Sequence, residues 1–111
     1  MIPEQGCLLR IFIGEMDKYR GKPLYEWIVV KAREEGLAGA TVIRGIMGFG
    51  ANSREIHTFK IRRLSEDLPT VIELVDTREK LVRFLELIDD KIEAGLVTLE
   101  KAEVRFYRGK K

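Results

Sequence analysis

With 111 residues, 45% of them hydrophobic and 34% charged, the chain has the size and composition of one globular domain over residues 1–111. Its 20 basic and 18 acidic residues leave a net charge of +2, which argues against the broad positive face of a nonspecific nucleic-acid binder. The single cysteine, Cys7, excludes an internal disulfide and a thiolate-built metal site, and no apolar run reaches the ~20 residues of a membrane span. No basic stretch leads into an apolar one at the start, so no signal peptide is expected and a cytoplasmic location is.

Leu8 to Gly14 is a short apolar run ended by glycine and predicts a strand. Its apolar residues fall on both parities, which predicts burial on both faces or nearly so. Glu15 to Lys22 is polar, and Pro23 suits the first position of a helix. Leu24, Trp27, Ile28 and Ala32 then repeat at helical spacing up to Gly36. Trp27 reads as a core anchor. Gly39 and Ala40 turn the chain into a second strand, Thr41 to Met47, rich in β-branched residues.

The stretch Gly45 to Thr58, G-I-M-G-F-G-A-N-S-R-E-I-H-T, is the most informative. Gly45, Gly48 and Gly50 permit positive φ or close approach of the backbone to a ligand. The polar run that follows has no period for burying a face. A glycine-hinged loop leaving a strand is a common place for binding residues; a long connection with no ligand is the plain alternative. Ala51 to Arg62 has few apolar anchors and is expected to be the least ordered part of the chain. Ile56 to Leu64 reads as a further strand or as an arm that orders only in context.

Pro69 stands at the start of a strand, where a missing amide is tolerated, and Val71 to Val75 forms it with Glu73 on one face. Asp76 or Thr77 caps the second helix. Leu81, Phe84, Leu85, Ile88 and Ile92 make its apolar stripe, and Gly95 stops it. Leu96 to Tyr107 is the last strand, followed by the basic tail Arg108 to Lys111. Strand, helix, strand, strand, helix, strand predicts the α+β, ferredoxin-like βαββαβ arrangement: an antiparallel four-stranded sheet with both helices on one face. The other face carries Leu8 and Phe12 and needs cover, so subunits should pack sheet to sheet.

Catalysis has little to draw on. The one histidine, His57, has no nucleophile beside it in an activating context, and the carboxylates sit where solvation explains them. No catalytic residue and no metal ligand set is assigned, and the chain reads as a binder rather than an enzyme. Two rival binder readings remain. Ile11 to Met16 resembles the first-strand motif of RNA-recognition modules, and Gly48 to Ala51 resembles part of their second, although only one strand precedes it after the first helix. The other rival is a purely structural interaction domain.

A fuller resemblance is to the PII signalling proteins. M-G-F-G-A-N-S-R-E-I-H-T resembles the landmarks at the base of their long T-loop, and L-P-T-V-I-E-L-V-D is similar to their L-P…I-E-I-V strand. V-R-F-Y-R-G resembles their V-R-I-R-T-G end. Within that superfamily G-K-P-L-Y-E-W, G-L-A-G-A-T-V and R-G-I-M-G-F-G resemble the uncharacterised PII-like group.

The resemblance implies a homotrimer with an adenine nucleotide, ADP or ATP, in each cleft between subunits and no obligatory cofactor. It implies that Gly48, Phe49 and Gly50 lie beside the nucleotide, Glu73 and Val75 near the adenine, and Arg105 and Arg108 near the phosphates. A mobile loop of about residues 48–64, with Asn52, Arg54 and His57 as candidate contacts, would report ligand state to a protein target, and no nucleic acid is expected. The chain departs from the pattern in three places. Only E-A-G-L-V-T stands where PII proteins carry a glycine- and lysine-rich phosphate loop. Asn52 stands in place of the glutamine that helps hold Mg²⁺ and 2-oxoglutarate. No tyrosine lies between Gly50 and Pro69 for uridylylation.

Overall fold

The computed structural model describes residues 5–50 and 67–110. In chain order these form β1 (Gln5–Gly14), a small hairpin of β2 (Lys18–Tyr19) and β3 (Lys22–Pro23), α1 (Leu24–Glu34), β4 (Thr41–Arg44), β5 (Pro69–Asp76), α2 (Arg78–Ile88) and β6 (Leu96–Glu103). The four long strands make one antiparallel sheet in the order β4-β5-β1-β6, which is the ferredoxin-like arrangement expected.

Strand alternation sorts β1 and β5 into two faces. Cys7, Leu9, Ile11 and Ile13 of β1 and Ile72 and Leu74 of β5 are buried against the helices. The helices supply Leu24, Ile28 and Ala32 from α1 and Leu81, Phe84 and Ile88 from α2, the stripes that the spacing predicted. Trp27 is half-buried against this core, its ring 4.8 Å from that of Tyr19. The other parity of β1, namely Leu8, Arg10 and Phe12, is half-buried, so β1 is enclosed fully on one face and partly on the other.

Several boundaries move, each for a local reason. Pro23 is the N-cap of α1 and not its first residue, because it pairs with Lys18 in the hairpin and its ψ of 131° is extended. The hairpin itself sits in the stretch read as merely polar. Its turn residues Arg20 and Gly21 both have positive φ, 53° and 81°, as two-residue hairpin turns with matching twist require. β4 stops at Arg44, three residues short of Met47, and a hydrogen bond from Gly45 N to Pro69 O (2.7 Å) is its last link to β5. α2 stops at Ile88 and passes into a short 3₁₀ turn, Asp89–Lys91, so Ile92 packs against the core from beyond the helix. β6 ends at Glu103, opposite Gln5 of β1, and among the described residues Val104 to Tyr107 pair with no strand.

Thr77 caps α2, its hydroxyl oxygen accepting from Lys80 N at 3.2 Å. The buried Asp76 carboxylate does other work, accepting from Ala38 N (2.9 Å) and Thr77 N (2.7 Å) and so tying the loop before β4 to the start of α2. Among the described residues no helix is long and apolar enough to cross a membrane.

Candidate functional site

The glycine-rich loop leaves β4 at the edge of the sheet. None of Gly45, Gly48 and Gly50 adopts positive φ; the first two serve close approach instead. A Cβ on Gly45 would lie 2.7 Å from the Pro69 ring, and one on Gly48 would lie 3.2 Å from it, so the loop backbone passes directly over Pro69. Ile46, Met47 and Phe49 consequently point outward, with Phe49 71% exposed. The chain returns at Asp67 and Leu68 beside the same strand end. Glu15 joins the two stems: its amide donates to Leu68 O (2.8 Å) and its carboxylate pairs with Arg44. Asp67 adds a bond from Met16 N to its carboxylate at 2.6 Å. Asn52, Arg54 and His57, with the arm Ile56 to Leu64 and the stretch expected to be least ordered, lie outside the described residues.

The uncovered sheet face follows from the register. Leu8 pairs with Val75 and Glu100, Arg10 with Glu73 and Thr98, and Phe12 with Val71 and Leu96, so these nine side chains share one face. Arg10 is its charged centre. Its Nε lies 2.9 Å from Glu73 and its Nη1 2.5 Å from Glu100. The hydrogen bond to Glu73 is the main cause of the raised pKa of the Arg10 guanidinium, and the charge of Glu100 adds to it. Glu73 is therefore a partner of Arg10 in the isolated chain, with Val75 beside it on the same face.

Arg105 and Arg108 lie beyond β6. Arg105 pairs with Glu103 at 2.9 Å, and the Arg108 guanidinium lies 4.2 Å from the centre of the Phe106 ring. Because both arginines follow the strand end, strand alternation does not assign them to opposite faces. Their tail leaves the sheet at the end where Gln5 meets Glu103, whereas the glycine loop leaves at the end where Gly14 meets Pro69. Nine residue steps along β1 separate those ends, roughly 30 Å at ~3.3 Å per residue. One chain thus does not bring Gly48–Gly50 together with Arg105 and Arg108. A groove of about 310 Å³ between the end of α1 and the outer side of α2, lined by Leu37, Lys80 and Phe84 among others, contains none of the candidate residues.

An RNA-recognition surface would place its aromatics on the two central strands. Phe12 lies on β1, but Phe49 lies in the loop after the edge strand β4, so the two do not form that platform. Among the described residues no three His, Cys, Asp or Glu side chains are grouped closely enough to hold a metal ion.

Known proteins match this frame. Residues 6–104 match the DUF190 family, described as "Uncharacterized ACR, COG1993". A UPF0166 protein of Aquifex aeolicus is 47% identical over 97 residues, covering 87% of this chain and 90% of the relative. The UPF0166 protein MJ1524 of Methanocaldococcus jannaschii is 38% identical over 103 residues, covering 92% of each. Among solved structures, CPII from Thiomonas intermedia K12 bound to ADP and bicarbonate superposes with a TM-score of 0.63 at 17% identity, covering 90% of this chain and 88% of that one. A putative PII-like signaling protein from Thermus thermophilus gives 0.63 at 19% identity, covering 94% and 93%. The fold is that of the PII-like proteins, and the chain belongs to the DUF190 (UPF0166) family.

Proposed function

We propose that this chain is a PII-like regulator that binds an adenine nucleotide in the clefts between subunits of a homotrimer. It relays ligand state to a protein partner through the loop of about residues 48–64, and it acts as a binder and not as an enzyme. The observation that carries the reading is the fold it shares with a protein that holds ADP. Two features of the chain support the rest. The halves of the candidate site lie at opposite ends of the sheet, so a head-to-tail neighbour would have to complete it, and heterologous contacts of that kind close into rings. The open face, with Phe12, Ile43, Val71 and Leu96 at one end, has apolar surface that a neighbouring sheet would cover.

In this reading Gly48 to Gly50 line the nucleotide, Glu73 and Val75 lie toward the adenine, and Arg105 and Arg108 bind the phosphates. Charge-assisted contacts of that kind are worth roughly 1.5–3 kcal/mol each. With E-A-G-L-V-T in place of a lysine-rich phosphate loop, the arginines carry more of the phosphate binding, so ADP should bind at least as readily as ATP.

Calorimetry with ADP and ATP on the wild type, Arg105→Ala and Arg108→Ala tests this. Micromolar binding is expected, weakened roughly tenfold or more by the loss of a phosphate contact. No heat and no thermal shift at millimolar nucleotide would remove the site. Unchanged affinity in both variants would keep the nucleotide and move its phosphates elsewhere.

A further inference from the structure

Residues 104–110 carry both candidate phosphate ligands, yet they belong to no strand or helix. The Arg105–Glu103 pair is exposed and local, and the Arg108–Phe106 contact is internal to the tail. Exposed pairs of this kind fix little. Among the described residues, one side-chain hydrogen bond joins this tail to a distant part of the chain: the Tyr107 hydroxyl donates to the Ala38 carbonyl at 2.5 Å, across 69 positions of sequence. The tail therefore starts at β6, on one edge of the sheet, and is fastened to the loop that feeds β4, on the other.

The anchor is a rigid one. Ala38 also donates its amide to the Asp76 carboxylate (2.9 Å), and Asp76 is only 2% exposed at the junction of β5 and α2. Both ends of the Ala38 residue are thus held, one by the core and one by the tail. Tyr107 lies directly before Arg108 and two residues after Arg105, so the fixed point falls between the two guanidinium groups. In V-R-F-Y-R-G the tyrosine also stands fourth, where V-R-I-R-T-G has arginine, and its hydroxyl is already engaged by Ala38.

We infer that Tyr107 is a positioning residue for nucleotide binding: its hydroxyl, bonded to the Ala38 carbonyl, holds the tail so that Arg105 and Arg108 are presented to the phosphates. This rests on the nucleotide reading above. The latch touches no ligand; it acts by sparing the tail the ordering that binding would otherwise impose, the usual gain of preorganisation. It also ties the phosphate-binding tail to the segment entering β4, whose far end carries the glycine loop.

The test is calorimetry with ADP on the full chain as wild type, Tyr107→Phe, Arg108→Ala and the double variant, with a melting curve for each. Phenylalanine keeps the ring and removes only an exposed hydroxyl, so the melting temperature should be unchanged. ADP binding should weaken roughly fivefold, the size of one net hydrogen bond. The double variant should lose less than the product of the two single losses, because a guanidinium that is absent has no position to lose. An unchanged affinity in Tyr107→Phe, or losses that multiply in full, would overturn the latch and leave nucleotide binding standing. A wild type that takes up no ADP would overturn both.

Discussion

Arg10 and Glu73 face each other across the β1–β5 pair, with Nε 2.9 Å from the carboxylate, in the middle of the sheet face that the helices leave open. Glu100 holds the same guanidinium from β6. Leu8 and Val75 flank this trio at one end and Phe12, Val71 and Leu96 at the other, so the face is a charged centre between two apolar patches. If the face meets its copies in an oligomer, the trio goes into the interface, and removing Arg10 leaves two carboxylates uncompensated there. In a monomer the same change would be felt weakly, since the pair stays solvated. Light scattering after size exclusion should therefore give three chains per particle for the wild type at micromolar concentration. Arg10→Ala should shift the mass toward one chain. A monodisperse wild-type monomer would remove both the sheet packing and the shared cleft, and an Arg10→Ala trimer as stable as the wild type would place the trio outside the contact.

What was legible in the sequence were the features set by spacing along one element. Leu24, Ile28 and Ala32, and then Leu81, Phe84 and Ile88, are buried because each set recurs every three or four residues. Leu9, Ile11 and Ile13 are buried because they alternate. Features made by strand order were not legible. Arg10 meets Glu73 and Glu100 across 63 and 90 positions, and nothing local marks them as partners. The same holds for the Asp76 carboxylate, read as a helix cap and found holding Ala38. The Arg20–Gly21 turn is not marked in the sequence, because arginine is a poor signal of positive φ. As for the candidate site, the motifs marked the glycine loop and the arginine tail, but only the register of β1, β5 and β6 puts them at opposite ends of the sheet.

Asp17 gives a test of the turn that supports the loop stems. Partial burial pushes its carboxyl above the ordinary value of 3.8, the charges of Asp67 and Glu93 add to that, and the hydrogen bond from Gly14 N (3.1 Å) opposes it. A carboxyl raised on folding binds its proton more tightly in the folded state than in the unfolded one. Its contribution to stability is therefore largest at low pH and is lost as pH rises through the interval from the unfolded to the raised value. Asp17→Asn keeps an oxygen to accept from Gly14 and removes the charge. The variant should be at least as stable as the wild type at pH 7, and the wild-type-minus-variant difference in melting temperature should grow more negative as pH rises through that interval. A difference that stays flat with pH would mean that the Asp17 proton is not linked to folding.

The turn into β6 yields a prediction with two opposite arms. Gly95 has φ of +154°, and a Cβ built on it would overlap the Phe12 carbonyl oxygen, with Ile13 Cγ2 at 3.3 Å and Ile92 Cγ2 at 3.6 Å. The obstacle is backbone of the central strand, and it cannot rotate away as a side-chain end would. Accommodating even one methyl means shifting β6 against β1, next to the pair of Phe12 with Leu96. Gly39, by contrast, has no heavy atom within 4 Å of the place a methyl would take and no positive φ. There an alanine adds no clash and narrows the unfolded ensemble, worth ~0.4–1 kcal/mol in favour of folding. Gly95→Ala should cost about 1–3 kcal/mol, as overpacking against fixed neighbours does. Urea unfolding of both variants would show the midpoints moving in opposite directions with the slope unchanged. Gly95→Ala matching the wild type would mean that β6 is free to move away from Phe12.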